Sequence, residues 1–184
     1  MFTINKFLCF ELEAGGKFLG WFGLIGSALF VPIFILEIVF FPSIPCGHFI
    51  RFVDRYLKSF IDELGLYECN EIKGAFVNIL LFFVVLYTIV FVLYFLLLRG
   101  ISTRTHKKIL PLVVFIAIGL IGHVVFLPYV LFTKGPLNGL FIYEVFAFTI
   151  AVYVFLTFYS IYVKIRDENS RNIVSIKFDK AQGV

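Results

Sequence analysis

Four long apolar stretches make up most of this chain, at residues 18–41, 74–98, 109–133 and 139–163. A helix rises about 1.5 Å per residue, so each stretch is long enough to cross the ~30 Å hydrocarbon core of a bilayer. The second and third contain no Asp, Glu, Lys or Arg. Hydrocarbon offers no partner for a backbone N–H or C=O, so a crossing segment must be helical. A β-barrel reading fails because the apolar residues run continuously instead of alternating. Only 15% of the 184 residues are charged, against about 25% in a soluble domain. The sequence therefore predicts an all-α, integral membrane four-helix bundle, a single domain over 1–184.

The first stretch is not a removable signal peptide. Its apolar core, 18–36, exceeds the roughly 7–15 residues of a signal h-region, and Phe40-Phe41-Pro42 follows it instead of a small-residue cleavage site. It reads as a retained signal-anchor helix. The net charge of +4 does not point to nucleic acid, because the basic residues sit beside the spans, where insertion rules and anionic lipid explain them.

Those basic residues orient the chain. Segments 1–17, 99–108 and 164–184 carry eleven of the sixteen Lys and Arg, and the 99–108 loop has four with no acid. Short basic segments stay cytoplasmic. Both termini are expected in the cytoplasm, with 42–73 as a large outer loop and 134–138 as a short outer turn. Cys46 and Cys69 share the outer loop, where an oxidising compartment lets disulfides persist. Only one pairing is open to them, so a Cys46–Cys69 bridge is expected in preference to two free thiols, with a loop-closure contribution of ~3 kcal/mol. Cys9 lies on the inner side and reads as an inert thiol.

Within the outer loop, Phe49, Val53, Tyr56, Leu57, Phe60 and Leu64 recur at helical steps, with charged residues mostly opposite. An amphipathic helix over 48–64 is expected. Its apolar face is either covered by its own bundle or lipid interface, or offered to a protein partner.

Polar groups inside spans are costly in lipid and stand out: Glu37, Asn78, His123 and Glu144. All four fall in the outer halves of their spans, His123 about 12 Å from the outer end at the helical rise. They form either a polar cluster able to hold a proton or cation, or two headgroup-reaching carboxylates beside ordinary interhelical hydrogen bonds. Gly16, Gly20, Gly23 and Gly26 make a small stripe on the first span that suits close helix approach, within the chain or to a partner, with Gly119 and Gly122 as a possible facing surface. Pro32, Pro111 and Pro128 are expected to bend or end their helices.

No motif for redox exchange, zinc hydrolysis, acyl transfer or phosphate cradling is present, and the three histidines are too scattered in sequence to suggest a metal site. No enzyme activity, cofactor, metal or small-molecule substrate is expected. The entry Cys9-Phe-Glu-Leu-Glu-Ala-Gly15-Gly16-Lys-Phe-Leu-Gly20-Trp21 resembles the start of arthropod tetraspan proteins of unknown function. Such chains are distantly similar to lysosome-associated four-span proteins and to septate-junction proteins of the Pasiflora type. The large first outer loop separates the chain from tetraspanins, and the lone Trp21, inside a span, separates it from claudins. The Pro-rich Tyr sorting motifs of the lysosomal family are missing. The resemblance implies a non-enzymatic plasma-membrane, junctional or endolysosomal protein that works by association with other membrane proteins or with itself. The alternative reading is a small transporter or accessory subunit that uses the polar residues.

Overall fold

The structure, a computed structural model, describes residues 6–7, 10–46, 68–134 and 139–181. Cys9, the loop helix expected over 48–64 and residues 135–138 of the outer turn lie outside the described residues. A two-residue antiparallel pair, β1 (Lys6–Phe7) and β2 (Phe10–Glu11), leads into α1 (Leu12–Phe40), with Lys6 opposite Glu11 and Phe7 opposite Phe10. A 3-10 turn, Phe41–Ser43, follows. The remaining helices are α2 (Cys69–Ser102), α3 (His106–Lys134) and α4 (Gly139–Ala181).

All four helices are long and apolar enough to cross a membrane, and large apolar side chains point outward on each. Phe22 is 73% exposed, Phe82 63%, Phe132 86% and Phe146 66%. Such a surface is tolerated only where the solvent is itself hydrocarbon. The chain is a multi-pass membrane protein built as an all-α four-helix bundle.

Helix ends and span ends differ. α4 has 43 residues, about 65 Å of helix, which is roughly twice the thickness of the hydrocarbon core. The expected span stops at residue 163, where charges begin, but the helix carries on through them. The three helix-interior prolines, Pro32, Pro111 and Pro128, end nothing: each lies inside a continuing helix.

Packing divides the chain into two compact units, Met1–Phe22 with Leu93–Val184, and Gly23–Val92. The first has one buried apolar cluster drawn from every helix: Leu12 of α1, Leu97 and Ile101 of α2, Ile109, Leu112 and Val113 of α3, and Phe158, Ile161 and Ile165 of α4. Their three- and four-residue spacings put each set on one helix face. Gly16 and Gly20 are small because this unit fills the space beside them. A Cβ at Gly16 would overlap Ile161 Cδ1, and one at Gly20 would lie 2.8 Å from Leu98 Cδ2 and 3.2 Å from Leu97 Cδ2. Gly119 and Gly122 are not the facing surface, for nothing lies within 4 Å of a Cβ at either among the described residues.

The second unit is held by rings. Phe30 and Phe34 of α1 meet Tyr87 of α2 with centroids 5.2 and 5.5 Å apart, Phe34 stacks on Phe83 at 5.7 Å, and Phe41 stacks on Phe76 at 5.7 Å. The Ser27 hydroxyl, buried, donates to the carbonyls of Gly23 and Leu24 at 2.8 and 3.0 Å. Gly26 faces open space among the described residues.

This difference between the glycines is measurable. Gly16→Leu forces its new side chain into Ile161 and should cost about 1–3 kcal/mol by overpacking, whereas Gly26→Leu should leave stability within about 0.5 kcal/mol, as surface substitutions usually do. Thermal unfolding of the two variants in mild detergent checks this; equal losses would contradict the packing described.

Candidate functional site

The strongest candidate among the intramembrane polar residues is a pair bridging α3 and α4. His123 Nδ1 and Glu144 Oε1 are 2.5 Å apart, and Glu144 is 7% exposed. The His123 ring also lies 6.3 Å from that of Phe148. A buried carboxylate without a partner is strongly disfavoured. The imidazole supplies that partner, and one proton shared between nitrogen and oxygen satisfies both groups. The pair therefore joins α3 to α4 by a polar contact inside the apolar span.

The other two polar residues belong to the second unit. Glu37 and Asn78 are both exposed, and Glu37 lines a recess with Phe40, Phe41, Ile44, Phe76 and Leu80. Of the four sequence-selected residues, the structure joins His123 to Glu144. Cys46 and Cys69 form a disulfide, with S–S 2.07 Å and Cα atoms 6.1 Å apart across 23 positions of sequence. Beside it, Lys73 Nζ donates to the backbone carbonyls of Pro42 and Ile44 at 3.2 and 2.5 Å. The start of α2 is thus tied to the end of α1 by a covalent bond and by an ammonium. Of the glycines, Gly16 and Gly20 pack internally, Gly23 lends its carbonyl to Ser27, and Gly26 is open.

A second polar group, not anticipated from the sequence, gathers in the first unit around the α2–α3 turn. Arg104 Nη1 donates to Glu13 Oε1 at 2.8 Å and to Glu168 Oε2 at 3.1 Å, while Lys164 Nζ donates to the same Glu13 oxygen at 2.7 Å. Asn169 Nδ2 donates to the Arg104 carbonyl at 2.9 Å and lies 3.3 Å from His106 Nδ1. Glu13 precedes the apolar run of α1. Burial raises its carboxyl, but the Lys164 and Arg104 hydrogen bonds and charges outweigh burial and hold it below the ordinary carboxylate value. One carboxylate thereby connects α1, the α2–α3 turn and α4. Arg104, Lys164 and Glu168 are each more than 40% exposed, so solvent screening keeps each bridge to ~1 kcal/mol or less. The clasp sets orientation more than stability.

Arg104 has φ 52°, the left-handed region. The Thr105 N–H bonds to the Gly100 carbonyl at 2.9 Å, which makes the turn a Schellman end with Arg at the position glycine usually takes. The charge count of the 99–108 loop explained its basic residues by topology, and nothing in residue spacing singled out Arg104, Glu13, Lys164 or Glu168. The link between them spans 91 and 151 positions and arises only once the helices pack.

No protein-family model, curated protein or solved structure matches this chain.

The backbone at 104 gives a clean test. Arg104→Ala and Arg104→Gly both delete the bridges to Glu13 and Glu168, but only Ala keeps a Cβ in the left-handed region, at about 1 kcal/mol. Arg104→Gly should therefore unfold at a higher temperature than Arg104→Ala, and melting in detergent followed by circular dichroism decides it.

Proposed function

We propose that this multi-pass membrane protein is non-enzymatic and acts by association with membrane partners, as a junctional or membrane-organising component of the plasma membrane or an endolysosomal membrane. Both termini face the cytoplasm in this reading, and the 42–73 loop faces the exterior or a lumen. The observation that carries it is the tie at the loop's two ends. Cys46–Cys69 and the Lys73 bonds to Pro42 and Ile44 hold the two ends of the loop together, and fixed ends lower the ordering entropy that binding must overcome. The sequence pattern predicts an amphipathic helix over 48–64 whose apolar face suits contact. The resemblance of the entry segment to arthropod four-span and septate-junction proteins points the same way.

The test replaces Tyr56 and Phe60 together by Ser in the full chain and measures complex size in mild detergent. The reading expects loss of the larger assembly with the disulfide and the melting temperature retained. Unchanged assembly, or a drop in melting temperature with assembly unchanged, would place that face inside the protein's own fold and reject it as a contact surface.

A second reading is favoured by one observation, the buried His123–Glu144 pair. A proton-holding pair between two helices suits a small transporter or a transporter's accessory subunit. In proteoliposomes that reading expects proton or cation flux that Glu144→Gln abolishes. Absence of flux in the wild-type protein ends the transporter form of this reading.

A further inference from the structure

We propose that the recess where α1 runs into its 3-10 turn binds a quaternary ammonium headgroup, the trimethylammonium of a choline lipid. The recess holds about 400 Å³ and is lined by Glu37, Phe40, Phe41, Ile44, Phe76 and Leu80. That volume falls within the roughly 300–1,000 Å³ of small-molecule sites. Its lining combines three aromatic rings with one carboxylate. Glu37 is exposed and, among the described residues, has no hydrogen-bond or ion-pair partner. Its charge asks for a cation, and aromatic faces attract cations through the ring quadrupole.

The lining also selects the kind of cation. A primary ammonium needs acceptors for three N–H groups, and among the described lining residues Glu37 is the one polar side chain. The nearby primary ammonium of Lys73 already uses the carbonyls of Pro42 and Ile44. A trimethylammonium has no N–H to satisfy. It needs only a counter-charge and apolar or aromatic walls, which is what this recess offers. The source is lipid because Glu37 lies in the last turn of a membrane-spanning helix, at the level where headgroups meet hydrocarbon.

The full-length protein in mild detergent is mixed with choline, ethanolamine and glycerol phospholipids of identical chains, and retained lipid is read by native mass spectrometry. The wild-type protein should keep the choline lipid over the other two by at least about fivefold. Glu37→Gln and Phe76→Leu should each bring that ratio near one, with the Cys46–Cys69 bond intact on a non-reducing gel. Phe40, 65% exposed, supplies a third variant, Phe40→Leu, that leaves packing undisturbed should Phe76→Leu fold poorly. Displacement of the retained lipid by soluble choline would show that the headgroup alone is recognised; lack of displacement would assign part of the affinity to the lipid chains, and the ammonium site stands in both cases. Equal retention of the three lipids, or a choline preference that survives the substitutions, overturns the proposal.

Discussion

A peptide group in hydrocarbon has nothing to hydrogen-bond except the chain itself, and that constraint reaches from the backbone into the side chains. It makes the four long elements helical and keeps them so through Pro32, Pro111 and Pro128. It also disposes of the intramembrane hydroxyls. Ser27, Thr88, Thr149 and Thr157 each donate to the carbonyl four residues earlier, at 2.7–2.9 Å, the local bond open to a hydroxyl on any helix. A carboxylate has no such route, because a helix offers its side chain no free N–H past the first turn. Glu144 therefore draws on another helix, and His123 is the group that answers. The contact between α3 and α4 thus includes a polar pair as well as apolar packing.

How much of this was legible in the sequence depended on whether a feature is local. The spans are written in composition, and the helices over them followed with no further information. The disulfide was legible by count, since Cys46 and Cys69 were the only cysteines expected on one side of the membrane. The length of α4 was not, because charge at Lys164–Arg171 marks the end of hydrocarbon and says nothing about the end of the helix. Ile161 and Ile165 keep their helical spacing across that boundary and are fully buried, so packing carries the helix out of the apolar run. The Arg104 clasp was illegible for a different reason. Its partners are distant in sequence, and a left-handed residue in a loop with Gly100 close by gives no sign that position 104 takes the positive φ.

The two units reach close packing by opposite means. In the first, glycines and medium aliphatic side chains interlock: Gly16 receives Ile161 and Gly20 receives Leu98. Dispersion is the main attraction available when the surrounding lipid is as apolar as the side chains, and it needs short distances. In the second, Phe30, Phe34, Phe83 and Tyr87 bridge α1 and α2 with rings 5.2–5.7 Å apart, so the backbones need not approach. The abundance of phenylalanine in the chain, 26 residues, thus serves two ends, as lipid-facing surface and as filler between helices.

The glycine stripe of α1 shows why a small-residue motif cannot by itself name its partner. A glycine specifies only that something approaches closely; the identity of that neighbour is encoded in the neighbour. Ile161 and Leu98 occupy Gly16 and Gly20, and neither could be chosen from the spacing of the glycines. Gly26 continues the same stripe but meets nothing within 4 Å among the described residues. Glycine in a helix interior costs about 1 kcal/mol relative to alanine, a penalty offset at Gly16 and Gly20 by the contacts they permit. At Gly26 no contact within 4 Å among the described residues offsets it.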